Sequence, residues 1–190
     1  MVAGFEHLAF VCNGCGECCR RLRVAITHRD LGRLVRQLEL PPAELVGWLE
    51  PEQVDFESES ASFVALPAGP RLMVLAQAHG ACRFLSADGR CGAYSARPLD
   101  CRSYPFVLER DDERRVTRLA LFEPAGCGDR GSSAMSLDEL TREDDERSAA
   151  LADYVTLVGR WNRLARHRAR LRHRARGEGD FLAFLLTSCS

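Results

Sequence analysis

Lysine is absent from this chain: all 26 basic residues among its 190 are arginine. That excludes chemistry built on a lysine amine, whether a Schiff base or the phosphate-binding lysine of a P-loop. Also lacking is any uninterrupted apolar run of about 18 residues, so the sequence offers no transmembrane helix and no membrane partner is expected. The opening MVAGFEHLAFVC has no positive leading segment, carries Glu6 and His7, and shows no cleavage pattern before the first cysteine. The expectation is a cytoplasmic protein without a secretory leader. Net charge is nearly absent too. A formal charge of -1 gives no global reason to expect nucleic acid or an acidic membrane as partner.

What is present begins with cysteine. Nine occur, and four of them fall in CNGCGECC, residues 12 to 19. In a reducing compartment such a cluster points to metal binding or thiol chemistry rather than to structural disulfides. A C-x-x-C step lets two thiolates converge on one ion while intervening amides turn toward the sulfurs. Two such steps in series, Cys12 to Cys15 to Cys18, match the opening of an iron-sulfur ligand run, and Cys101 is an attractive fourth. Glycines beside Cys15, Cys91 and Cys127 suit the tight turns such a site needs. Leaving out Cys189, which reads as a small buried apolar residue, eight cysteines make two sets of four. That count suits two four-thiolate zinc sites, two cubane clusters, one of each, or one cluster beside a set of redox or catalytic thiols. Adjacent Cys18 and Cys19 point apart and so can serve different centres. His79, three residues before Cys82, is a further candidate ligand, although a packed or surface role suits it better.

Hydrophobic periodicity supplies the frame. At 190 residues, with 46% hydrophobic and 28% charged, the chain suits one domain over 1–190. Its parts are a cysteine core at 10–128 and a helical segment at 136–187. Thr27 offers an N-cap to HRDLGRLVRQLEL, with Leu31, Leu34, Val35 and Leu38 on one face. Pro41 and Pro42 then open a second helix, PAELVGWLE, with Leu45, Trp48 and Leu49 in helical spacing. SASFVALPAGPRLMVLAQ reads as two strands around a Pro-Ala-Gly-Pro turn, Asp88-Gly89 as a hairpin turn, and FVLERDDERRVTRLALF as another hairpin. GDRGSSAM reads as a linker. Ser136 and Glu139 form a capping-box pattern before a long helix with an apolar stripe from Leu151 through Tyr154, Val158, Trp161 and Leu164 to Leu171. DFLAFLLTS reads as a last short apolar helix. The fold class expected is α+β: a small antiparallel sheet with cysteine-rich metal-binding loops, helices after the first cysteine cluster, and a long C-terminal helix.

Charge is unevenly placed. Residues 154 to 177 hold eight arginines and no acidic residue. The arginine-rich stretch 160–176 is either a solvated helix face or a surface for an acidic protein partner; nucleic acid is not the expected partner.

Taken together, CNGCGECC, then CRFLSADGRCGAYSARPLDCRSYPF, then GCG resemble the YkgJ-type cysteine-cluster family, the CxxCxxCC zinc- or iron-chelating domains. The resemblance spans about residues 10 to 128, outside which the helical C-terminal third lies. It implies metal or iron-sulfur binding, with a 4Fe-4S cluster or zinc held by Cys12, Cys15, Cys18, Cys19, Cys82, Cys91, Cys101 and Cys127. The role implied is redox, sensing or modification. The flagellin lysine N-methylase, associated with an iron-sulfur cluster and S-adenosylmethionine, is similar in its cysteine pattern, but this chain is too short for that enzyme's additional regions. Beside the ligands, Arg97 and Arg102 are expected to offset thiolate charge or to hold an anion. Tyr94 and Tyr104 are candidates to shield the site, and Pro98 and Pro105 to stiffen the turns around Cys101.

Overall fold

The computed structural model describes residues 15–54, 57–122 and 136–188. Cys12, Cys127, Cys189 and the expected GDRGSSAM linker lie outside those residues. The architecture is α+β, with small antiparallel sheets and a long helix near the C-terminus.

The first helix, α1 (Glu17–Arg21), is a short turn that carries Cys18 and Cys19. Helix α2 (His28–Leu38) starts as its sequence dictates: Thr27 accepts from the Asp30 amide while the Asp30 carboxylate accepts from the Thr27 amide. The reciprocal capping box satisfies two amides that a helix start leaves without partners. Its apolar face buries Leu31 and Leu34. Helix α3 (Pro42–Leu45) is shorter than the spacing of PAELVGWLE predicts, because the chain turns extended at Val46. Residues Val46–Leu49 form strand β1, paired antiparallel with Leu72–Leu75. The available strand partner overrides a weak helical spacing that contains Gly47 and β-branched Val46.

Strands β2 (Val64–Leu66) and β3 (Gly69–Leu75) form the expected hairpin, and β3 is central in the order β1-β3-β2. The stretch after α1 joins the same sheet, with Ala25 bridged to Val74. A two-residue pair, β4 (Gln77–Ala78) and β5 (Ala81–Cys82), leads into the second cysteine region. There the expected Asp88-Gly89 hairpin is a tight turn closed by a single bridge, Leu85 to Cys91, with Gly89 at φ 84°. Helix α4 (Leu99–Ser103) carries Cys101. The charged hairpin follows as β6 (Phe106–Arg110) and β7 (Val116–Leu121).

Helix α5 (Leu137–Arg170) begins on the predicted Ser136–Glu139 capping box, and α6 (Glu178–Thr187) packs back on the core. One buried cluster joins α2, the sheet, α5 and α6 through Leu31, Leu34, Met73, Tyr154, Trp161 and Phe181. Each large side chain buried this way contributes about 1.5–3 kcal/mol. The stripe on α5 is narrower than the sequence suggests. Tyr154, Val158 and Trp161 are buried, whereas Leu151, Leu164 and Leu171 are exposed. Leu171 is the C-cap, where the helix has already ended.

Trp161 and Asn162 also close the outer edge of β2. The Trp161 indole donates to the Ala65 carbonyl at 3.0 Å, the Asn162 carbonyl oxygen accepts from the Ala65 amide at 2.7 Å, and its amide donates to the Phe63 carbonyl at 2.8 Å. A helix thereby supplies the partners that a further strand would otherwise provide.

Candidate metal centre

Three separate pieces of chain bring five cysteines into one neighbourhood. Helix α1 brings Cys18 and Cys19, β5 and the following turn bring Cys82 and Cys91, and α4 brings Cys101. Cys18 and Cys19 lie with their Sγ atoms 4.0 Å apart. Cys19 in turn interacts with Cys82, and both Cys19 and Cys101 feel Cys91. Cys82 is buried in the core cluster, with Cys19 and Cys91 packed against it. Cys15 stands just before α1, its carbonyl accepting from the Arg20 guanidinium at 2.6 Å.

The placement of α1 depends on Gly16. It sits at φ 71°, where a side chain is strained, and a Cβ there would lie 2.8 Å from Leu85 Cδ1 and 2.9 Å from the Gly89 carbonyl oxygen. Backbone and turn therefore approach closely only because residue 16 is glycine. Helix α4 is anchored from the other side. The Leu99 amide donates to the buried Asp30 carboxylate at 3.0 Å, and Arg33 donates to Asp30 at 2.7 Å and to the Arg97 carbonyl at 2.9 Å. Asp30 thus caps two helices, and the second holds Cys101.

The thiols influence one another's protonation. Donating to Cys19 holds the Cys18 thiol far above the ordinary thiol range, and burial adds to the effect. Cys19 accepts from Cys18, which lowers it, but donating to Cys82 and burial outweigh this and push it up to about 11. Cys82 is lowered because it accepts from Cys19 and from the Phe84 amide. Burial raises Cys101, with the neighbouring Asp100 carboxylate adding to it. The direction of these effects runs from Cys18, held protonated, toward Cys82, whose thiol is the one of the group that is lowered.

Among the described residues, no three His, Cys, Asp or Glu side chains stand close enough to hold an ion between them as they are. The donor set nonetheless fits a thiophilic metal: its members are all thiols, with protons that a cation would displace, since coordination requires thiolate. Neighbouring ligands of a tetrahedral zinc at about 2.3 Å lie about 3.8 Å apart, a separation Cys18 and Cys19 nearly have.

The arginine and tyrosine candidates have partners of their own. Arg102 turns to α5, pairing with Glu143 at 2.9 Å and Glu146 at 3.9 Å. The Arg97 guanidinium lies 3.9 Å from the centre of the Tyr94 ring, and that ring is 62% exposed. Tyr104 packs edge-on against Phe122. His79 occupies the exposed β4–β5 turn at φ 51°. Asp30 is the positioning residue that sequence reasoning missed. The sequence marked Thr27 as an N-cap, but nothing in it singled out Asp30 or tied it to Leu99.

In comparison with protein families, residues 11–121 match the family described as CxxCxxCC, "Putative zinc- or iron-chelating domain". No curated protein and no solved structure matches the chain.

Proposed function

The chain belongs to the CxxCxxCC family of zinc- or iron-chelating domains, and on that premise we propose that it holds an iron-sulfur cluster through its cysteines. The observation that carries this reading is the convergence of five thiols from α1, β5 and its turn, and α4 in one neighbourhood. Five is one more than either a tetrahedral zinc or a four-thiolate cluster takes, and Cys15 stands just before α1. Cys12 and Cys127 complete the eight that the motif supplies. A bound cluster would give the site one-electron chemistry, which serves electron transfer, redox sensing or a modification reaction. The protein's own contribution is a buried Cys82, a half-buried Cys101 and positioning of α4 by Asp30.

A second reading has its own support. The 4.0 Å spacing of Cys18 and Cys19 suits two ligands of a single zinc ion, which would make the region a structural clamp. Thiolates serve either metal, so composition decides between them. Iron, zinc and acid-labile sulfide are to be measured on protein purified without oxygen, alongside the visible spectrum. Brown protein with iron and sulfide is expected, and Cys82→Ser should lose both. Colourless protein with stoichiometric zinc and no sulfide would replace the cluster with the clamp. Protein free of either metal after growth in supplemented medium would sink both readings.

A further inference from the structure

Helix α5 is divided electrically along its length. Carboxylates of its first part are matched by arginines from elsewhere in the fold: Glu143 by Arg102, Asp144 by Arg110 and Asp153 by Arg29. Its last turns and the segment after it have no such match. Thirteen arginines elsewhere in the described chain pair with a carboxylate, while none of the eight within residues 154–177 does. The contrast matters because this fold pairs its arginines by habit. Seven of the eight are exposed, and Arg168 is half-buried.

The same surface carries apolar groups. Leu164 is 46% exposed and Leu171 52% exposed, seven positions apart along the arginine-rich stretch. Its one indole and its one side-chain amide, by contrast, are already committed. Trp161 and Asn162 are spent on the edge of β2. The exposed His167 and His173 and the guanidinium groups can meet bases and phosphates, but a nucleic acid would leave both leucines in water.

We propose that the surface from Arg160 to Arg176 docks an acidic amphipathic helix of another protein, whose carboxylates face the arginines and whose apolar side chains cover Leu164 and Leu171. Charge complementarity steers the encounter, and the leucines supply the contact that an anion alone does not satisfy. Guanidinium groups suit this role, since their planar fork takes a carboxylate in two parallel hydrogen bonds. The docking surface is independent of which metal the cysteines hold.

The test uses the full chain and fluorescence anisotropy. The probe is a labelled synthetic peptide with glutamates on one helical face and leucines beside them. It is compared with the same peptide carrying serine for leucine, and with a single-stranded oligonucleotide of equal charge. The acidic peptide should bind, weaken about tenfold or more between about 50 and 200 mM salt, and outbind both comparators. Arg163→Glu, Arg166→Glu and Arg170→Glu together should reduce binding at least tenfold, and Leu164→Ser with Leu171→Ser should also weaken it about tenfold. The salt series and the two comparators use the unaltered protein, so they decide the matter even if a variant misfolds. Tighter binding of the oligonucleotide, equal binding of the serine peptide, salt-insensitive binding, or no binding would each overturn the proposal.

Discussion

Asp30 accepts four hydrogen bonds, from the Thr27 amide and hydroxyl, from Arg33 and from the Leu99 amide. A buried carboxylate with that many donors is stable only while all of them stay in place. Asp30→Ala would leave Arg33 half-buried without its counter-charge and α4 without a cap, costing about 3 kcal/mol or more. It should also loosen Cys101, read as faster loss of metal to a competing chelator, while Arg36→Ala on the same helix changes neither property. The cysteines themselves were legible, since four thiols in eight residues have few other meanings. Their grouping was not. That Cys19 meets Cys82 depends on a contact across 63 sequence positions. Likewise Arg102 gave no sign in its RP-x-x-C-R context that Glu143, far along the chain, would claim it.

Among the elements, those with explicit end signals were readable. Thr27 and Ser136 placed the starts of α2 and α5, and the Pro-Ala-Gly-Pro turn placed the β2–β3 hairpin. Val46–Leu49 was not readable, because four residues carry too little periodicity to separate strand from helix and only β3 decides the outcome. The fit of α5 to β2 was equally hidden, since Asn162 looks like any polar position on a helix. Asn162→Ala would remove the partner of the Ala65 amide and of the Phe63 carbonyl at once. The expected loss is about 1–3 kcal/mol for each group left unsatisfied, measured by chemical unfolding. Asn162→Asp keeps the acceptor for the Ala65 amide but sets a carboxylate oxygen against the Phe63 carbonyl, so it should not restore the stability lost in Asn162→Ala.

Across the whole molecule, acidification should act through His28. It is buried at the start of α2 and stacked on Tyr154, with ring centroids 6.5 Å apart. Burial holds it below its ordinary value and Arg29 adds to this, against weaker pulls from Asp153 and Asp30. The folded state therefore binds this proton less readily than the unfolded chain does. The associated stability is fully present above the ordinary histidine value of about 6.5 and is lost as pH falls through the lower folded value. The thermal unfolding temperature should fall as pH drops below about 7, and His28→Gln should flatten that slope. An unchanged slope in the variant would remove His28 as the cause.

The division of charge along α5 has a further consequence for the molecule in solution. With eight arginines gathered in residues 154–177, the rest of the chain holds 18 basic against 27 acidic residues, although the total is only -1. The protein is therefore a strong electric dipole with almost no monopole. At low ionic strength its positive pole will be retained by a cation-exchange matrix at a pH where its net charge says it should flow through.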